Sequence, residues 1–208
     1  MMIRTLLLLL TLLPLAAGAA PEEGKEYELI IPEAPTLTST DKVEVVEVFW
    51  YGCPHCYRFQ PAVKRWLEKG HPNVEWVRMP AVLNEHWEIH ARAFYAAQAL
   101  GILEKTHQAL FDAIHKARRK LNTEESLAAF YKDYGVSEED FIKTMHSFAV
   151  ESKVRRAREL DKRYNLHSTP SIVINGKYRI DPGMVEGNAE QMLDVVDFLV
   201  ARESHAGS

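Results

Sequence analysis

Val43-Glu44-Val45-Val46-Glu47-Val48-Phe49-Trp50-Tyr51-Gly52-Cys53-Pro54-His55-Cys56-Tyr57 changes character at its midpoint. Its first half, Val43 to Trp50, is β-branched and aromatic and predicts a strand. Tyr51-Gly52 then leads into the cysteines, and Pro54 suits the first turn of a helix, where a missing N–H costs nothing. Phe59, Val63, Trp66 and Leu67 continue as an apolar stripe at helical spacing, with a stop at Gly70. His71-Pro72-Asn73 turns the chain into a second strand, Val74 to Met79. Strand, helix and strand in this order predict a parallel pair joined by a right-handed crossover.

Upstream, Lys25 to Ile31 reads as a short edge strand ending at Pro32, followed by a linker from Pro32 to Asp41. Downstream, the pattern from Asn84 to about Leu166 is helical throughout. Asn84 is placed to cap a helix that Gly101 ends, Gly135 ends another, and Ser137-Glu138-Glu139-Asp140 reads as a capping motif. Two short strands, Ser171 to Ile174 and Lys177 to Ile180, flank Asn175-Gly176, a strong hairpin signal. A closing helix spans about Asn188 to Ala201, and no internal repeat is visible. The expected architecture is an α/β sheet interrupted by a helical insertion. Residues 1–19 form a leader, 20–82 and 161–208 the discontinuous sheet domain, and 83–160 the insertion.

Arg4, the apolar run Leu6 to Leu15 broken by Pro14, and the small residues Ala16 to Ala20 have the layout of a cleavable signal peptide, cut after Ala17-Gly18-Ala19. The apolar run falls short of the ~20 residues that a spanning helix needs. The expected product is a soluble protein outside the cytosol. With 47% hydrophobic and 26% charged residues the chain has a globular composition, and its net charge of −4 argues against a nucleic-acid partner. The basic run Arg118-Arg119-Lys120 is read as a solvated helix end.

The chain holds only two cysteines, three positions apart. A bridge between Cys53 and Cys56 closes so small a loop that it would stabilise the fold little, so the pair is there for chemistry. At a helix N-terminus, unpaired N–H groups and the helix dipole favour an anion at Cys53. A thiolate there is both nucleophile and good leaving group, while Cys56, one turn later, is suited to resolve a mixed disulfide. His55 lies between them and can add a hydrogen bond or a positive charge. A zinc site needs more soft ligands, and haem attachment needs a histidine at position 57, where Tyr57 stands. No metal or cofactor is expected. The helical pair His86 and His90 lacks the His-Glu-x-x-His order and is read as surface histidines. Met145, Phe148 and Val150 are read as core.

Phe49 to Tyr57, with its Cys-Pro-His-Cys centre, resembles the active-site segment of the DsbA family of periplasmic disulfide oxidases. The likeness extends to Glu23-Gly24-Lys25-Glu26-Tyr27, to Thr169-Pro170-Ser171, to Val173-Ile174-Asn175-Gly176-Lys177-Tyr178, and to the placement of the helical block. The resemblance implies a thioredoxin fold with an inserted all-helical domain, in which Cys53 attacks and Cys56 resolves, with Pro54 and His55 part of the motif. It implies that Pro170 is a cis-proline facing the cysteines, and that Thr169 offers backbone groups to an extended substrate. Glu47 matches the family's buried acid near the second cysteine, and Arg78 stands where a lysine partner is expected. Glu44, three residues earlier and nearer the strand's start, points to the opposite face and is expected to reach solvent. The implied partners are reduced, newly exported polypeptides and a membrane reoxidant of the DsbB type, acting on a monomer in the periplasm. A disulfide isomerase or reductase and a two-thiolate metal chaperone are the competing readings. The segment from Ala20 to Asp41 is too short for an isomerase's dimerisation domain.

Overall fold

Residues 20–39 and 41–206 are described by the computed structural model. The leader proposed for residues 1–19 lies outside the described residues. The strands are β1 (Glu28–Leu29), β2 (Val43–Phe49), β3 (Val74–Pro80), β4 (Ser171–Ile174) and β5 (Tyr178–Ile180), in one sheet of order β1-β5-β4-β2-β3. Every residue of β2 is buried, as a strand covered on both faces requires, and its valine-rich composition supplies the apolar surface for both. It runs parallel to β3, from Val43 opposite Val74 to Phe49 opposite Pro80, and antiparallel to β4. The edge strand β1 keeps only two paired residues of the longer run read from the sequence, with Ile30 N–H still bonded to the Lys177 carbonyl at 2.8 Å beyond them.

The hairpin forms at Asn175-Gly176, where both residues have positive φ, 49° and 65°, the geometry that favours Asn-Gly. Gly176 is obligatory for a second reason: a Cβ there would stand 2.1 Å from the Ala34 carbonyl oxygen.

Two helices cover one face of the sheet, α1 (Pro54–Glu68) and the closing helix α7 (Ala189–Ala206). Phe59, Val63 and Trp66 of α1 pack there with Val45, Ile172, Leu193 and Val196, each large side chain contributing about 1.5–3 kcal/mol by burial. The helix continues through Pro61, so the Tyr57 carbonyl gives up its bond to the fourth residue on. The other face meets a helical block of α2 (Glu85–Ala99), α3 (Leu103–His115), α4 (Glu124–Lys132), α5 (Glu138–Met145) and α6 (Phe148–Arg163). Val46, Val48 and Phe49 join Phe94, Leu110, Phe111 and Leu160 in that second core. Together these elements make an α/β thioredoxin-like fold with a helical insertion.

Several local expectations change. Glu44 is buried, not solvated, because the linker folds over it: Leu37 N–H, Thr38 N–H and Thr38 Oγ1 all donate to its carboxylate at 2.6–3.0 Å. His90 is a core residue whose Nε2 meets the Leu121 carbonyl at 2.7 Å, whereas His86 is exposed. Met145 and Val150 are buried as expected, but Phe148 is 81% exposed, since it falls on the outer side of the first turn of α6. Asn84 occupies the N-cap position of α2 without a side-chain capping bond, while Ser137 caps α5 as read. Arg118, Arg119 and Lys120 lie exposed just past α3. Among the described residues no helix is long and apolar enough to cross a membrane, and no group of three metal-ligating side chains gathers.

Candidate active site

Cys53 is the N-cap of α1, with extended backbone (φ −83°, ψ 116°), and its sulfur accepts the Cys56 N–H at 3.4 Å. A cap side chain normally accepts from the N–H two or three residues on, so a sulfur here receives what a serine oxygen would receive elsewhere. The Cys53 N–H is tied back to the Trp50 carbonyl at 3.0 Å, which fixes the turn that delivers the strand into the helix. As a thiol, Cys53 donates to the Thr169 carbonyl at 3.3 Å. Thr169–Pro170 is cis and immediately precedes β4.

The two thiols are electrostatically unlike. A hydrogen bond from the Cys56 thiol, helped by the Thr169 side chain and the N–H groups of Cys56 and His55, pulls Cys53 down to about 5 against the opposing effect of burial. Burial, reinforced by the neighbouring Cys53, pushes Cys56 well above the ordinary thiol range. One cysteine is thus poised as thiolate and the other as thiol at neutral pH.

His55 is exposed, and its Nδ1 lies 3.0 Å from the Arg58 guanidinium. Arginine only donates, so that contact requires an unprotonated Nδ1. The residue's contribution at Cys53 comes through its backbone N–H.

Glu47 lies wholly buried on the α1 side of β2. Gln60 donates to it at 2.6 Å, and the Arg78 Nε stands 3.6 Å from its second oxygen. Burial raises its pKa, with the Arg78 charge and the Gln60 amide opposing. Arg78 sits directly across from Glu47 in the β2–β3 register and also reaches Glu104 at 3.9 Å.

Residues 44–194 match the family model of the DSBA-like thioredoxin domain. The chain belongs to that family. A thiol:disulfide interchange protein DsbA of Pseudomonas syringae pv. tomato is 40% identical over 192 residues, covering 92% of this chain and 89% of its own length. The crystal structure of DsbA from Pseudomonas aeruginosa superposes with a TM-score of 0.82 at 39% identity, covering 89% of this chain and 96% of that one. The oxidoreductase DsbA from Xylella fastidiosa gives 0.83 at 34% identity, over 90% of this chain and 100% of the other. This DsbA-family chain is therefore a disulfide oxidoreductase with the DsbA thioredoxin-like fold.

The fold of this DsbA relative also brings against Glu47 and the segment around the cysteines residues that no sequence spacing announces. Gln60 is one, four residues beyond Cys56 and turned onto Glu47. His107 and His115 are others: the Tyr51 hydroxyl meets His107 Nδ1 at 2.9 Å, and the Tyr51 carbonyl meets His115 Nε2 at 2.7 Å. Burial, with the Arg78 charge adding to it, holds His107 neutral, down at about 3. Trp50 stacks on Trp87 of α2 at 4.5 Å and 3°.

Proposed function

We propose that this protein donates its Cys53–Cys56 disulfide to reduced, newly exported polypeptides in the periplasm, as a monomer, and is reoxidised by a membrane partner of the DsbB type. The single observation that supports this direction most is the contrast between the two thiols: a Cys53 thiolate stabilised by the fold favours the reduced protein and makes its disulfide oxidising.

In the donating step a substrate thiolate attacks Cys53 Sγ, the Cys53–Cys56 bond breaks, and Cys56 leaves and takes up a proton. A second substrate thiolate then attacks the substrate sulfur of the mixed disulfide. The substrate disulfide forms and Cys53 departs as a thiolate, so two electrons pass from substrate to protein. When a mixed disulfide stalls, Cys56 gives up its proton and attacks Cys53 Sγ. The bond from Cys53 to the substrate sulfur breaks, the substrate leaves as a thiolate, and the Cys53–Cys56 disulfide reforms. Glu47 serves as the buried acid–base group for the proton at Cys56, with Arg78 and Gln60 holding it. A disulfide-bonded Cys53 has no proton for the Thr169 carbonyl that the thiol reaches, so this carbonyl is open to an extended substrate backbone beside Pro170. A groove lined by His55, Phe59, Pro170, Val185 and Met192 runs alongside and offers apolar contact to the same segment.

Trapping tests the assignment. Cys56→Ser accumulates covalent adducts with reduced polypeptides, visible on non-reducing gels, because the resolving thiol is gone. Equal accumulation by Cys53→Ser would contradict the division of labour.

A further inference from the structure

The α3 helix of the insertion grips the reactive segment from both flanks. His107 and His115 are eight residues apart, about two helical turns, and so share one face. His107 takes the Tyr51 hydroxyl and His115 the Tyr51 carbonyl, two residues ahead of Cys53. The His115 ring also stacks on Tyr57, one residue beyond Cys56, at 5.0 Å and 13°. A single imidazole therefore touches both sides of the Cys-Pro-His-Cys turn.

The need for such a hold lies in Gly52. The Trp50 ring fills the place where a Cβ of residue 52 would go, 2.3 Å away, so only glycine fits between Tyr51 and Cys53. Glycine gives the chain its greatest backbone freedom there, next to the residue whose sulfur must stay aligned with the first N–H groups of α1. A carbonyl oxygen only accepts, so His115 Nε2 carries the proton and pins the Tyr51–Gly52 peptide plane.

We propose that His115 is a positioning residue for thiol–disulfide exchange, fixing the Tyr51 carbonyl and the Tyr57 ring so that Cys53 keeps its place over the N-terminus of α1. The inference rests on Cys53 being the reactive thiol.

The test compares four proteins: the natural chain, His115→Phe, His115→Leu and His115→Gln. Phe keeps the stack and loses the donor, Gln keeps a donor and loses the stack, and Leu loses both. The readouts are the dithiol–disulfide equilibrium against glutathione and the thiolate titration of Cys53 by ultraviolet absorbance, with the unfolding midpoint of each oxidised protein as a check on folding. The expected result is that Phe and Leu make the disulfide less oxidising by about three- to tenfold, the size of one hydrogen bond, while Gln recovers most of that loss. A Phe variant equal to the natural chain, or a Gln variant no better than Leu, overturns the proposal; if Phe does not fold, the Leu–Gln comparison decides. A natural chain whose Cys53 titrates as an ordinary thiol would instead remove the underlying assignment, so the two failures are distinguishable.

Discussion

One sulfur carries most of the proposed chemistry, and its hydrogen bonds come from neighbours within three residues and from one distant loop. Among the described residues, Cys53 accepts the Cys56 N–H and donates to the Thr169 carbonyl, which comes from afar. That locality is why the N-cap position of Cys53, on which its proposed reactivity rests, was legible in the sequence: a helix N-cap needs no tertiary information. His55 shows the limit of the same reasoning: of the hydrogen bond or positive charge the sequence offered, the hydrogen bond comes from its backbone N–H, while the ring faces Arg58. His55→Ala keeps the backbone donor, so the Cys53 thiolate titration should stay well below the ordinary thiol range of about 8.5; a return to that range would put the ring at the centre. Burial of single residues was less legible, because it depends on what another segment lays over them. Glu44 is covered by the linker, His90 by the segment around Leu121, and Phe148 by nothing among the described residues. Asp161 is a further hidden case, buried with one oxygen on the Val82 N–H at 2.6 Å, its pKa raised by burial to about 7. A carboxyl raised above its unfolded value of about 3.9 costs stability above the folded pKa, and that cost disappears as pH falls to the unfolded value. Asp161→Asn, which keeps an acceptor for Val82, should therefore be more stable than the natural chain above pH 7 and converge with it near pH 4. Denaturant unfolding at both ends of that range checks the sign.

At the scale of elements, periodicity and turn chemistry carried far. The runs Val43–Phe49, Pro54–Glu68 and Val74–Pro80 stand where the apolar patterns placed them, and the Asn175-Gly176 hairpin forms as read. Sheet order was not written in any local pattern. It arises because β4 inserts antiparallel beside β2, closing the crevice in which Thr169 meets Cys53. Gly176→Ala tests how tightly that corner is built. A left-handed residue with a Cβ costs about 1–2 kcal/mol, and the contact with the Ala34 carbonyl adds to it. The variant should lose at least that much stability in urea unfolding, and a loss below half a kcal/mol (roughly the noise of a surface change) would show the turn to be pliable. The contribution of α3 was invisible for the opposite reason: His107 and His115 sit on an amphipathic helix like any other, and only tertiary packing turns them toward Tyr51.

For the whole molecule, the two cores on either face of the sheet hold α1 and α3 rigidly enough that the thiolate is stabilised only while the chain is folded. Folding and redox chemistry then form one thermodynamic cycle: whatever stabilises the reduced fold relative to the oxidised one makes the disulfide equally more oxidising. The loop closed by Cys53 and Cys56 is so short that the usual chain-entropy benefit of a disulfide is near its minimum. Cys53 has a folded pKa lowered to about 5, so its contribution is full above the unfolded thiol value of about 8.5, still partly present at neutral pH, and lost as pH falls through the folded value. The raised pKa of Cys56 acts only in alkali, where an unfolded thiol would ionise. Denaturant unfolding of the oxidised and reduced protein at pH 7 and again at pH 4 is the most direct measurement. The account predicts that the reduced protein is the more stable at pH 7 and that the gap closes at pH 4. An oxidised protein more stable than the reduced one at pH 7 would contradict it.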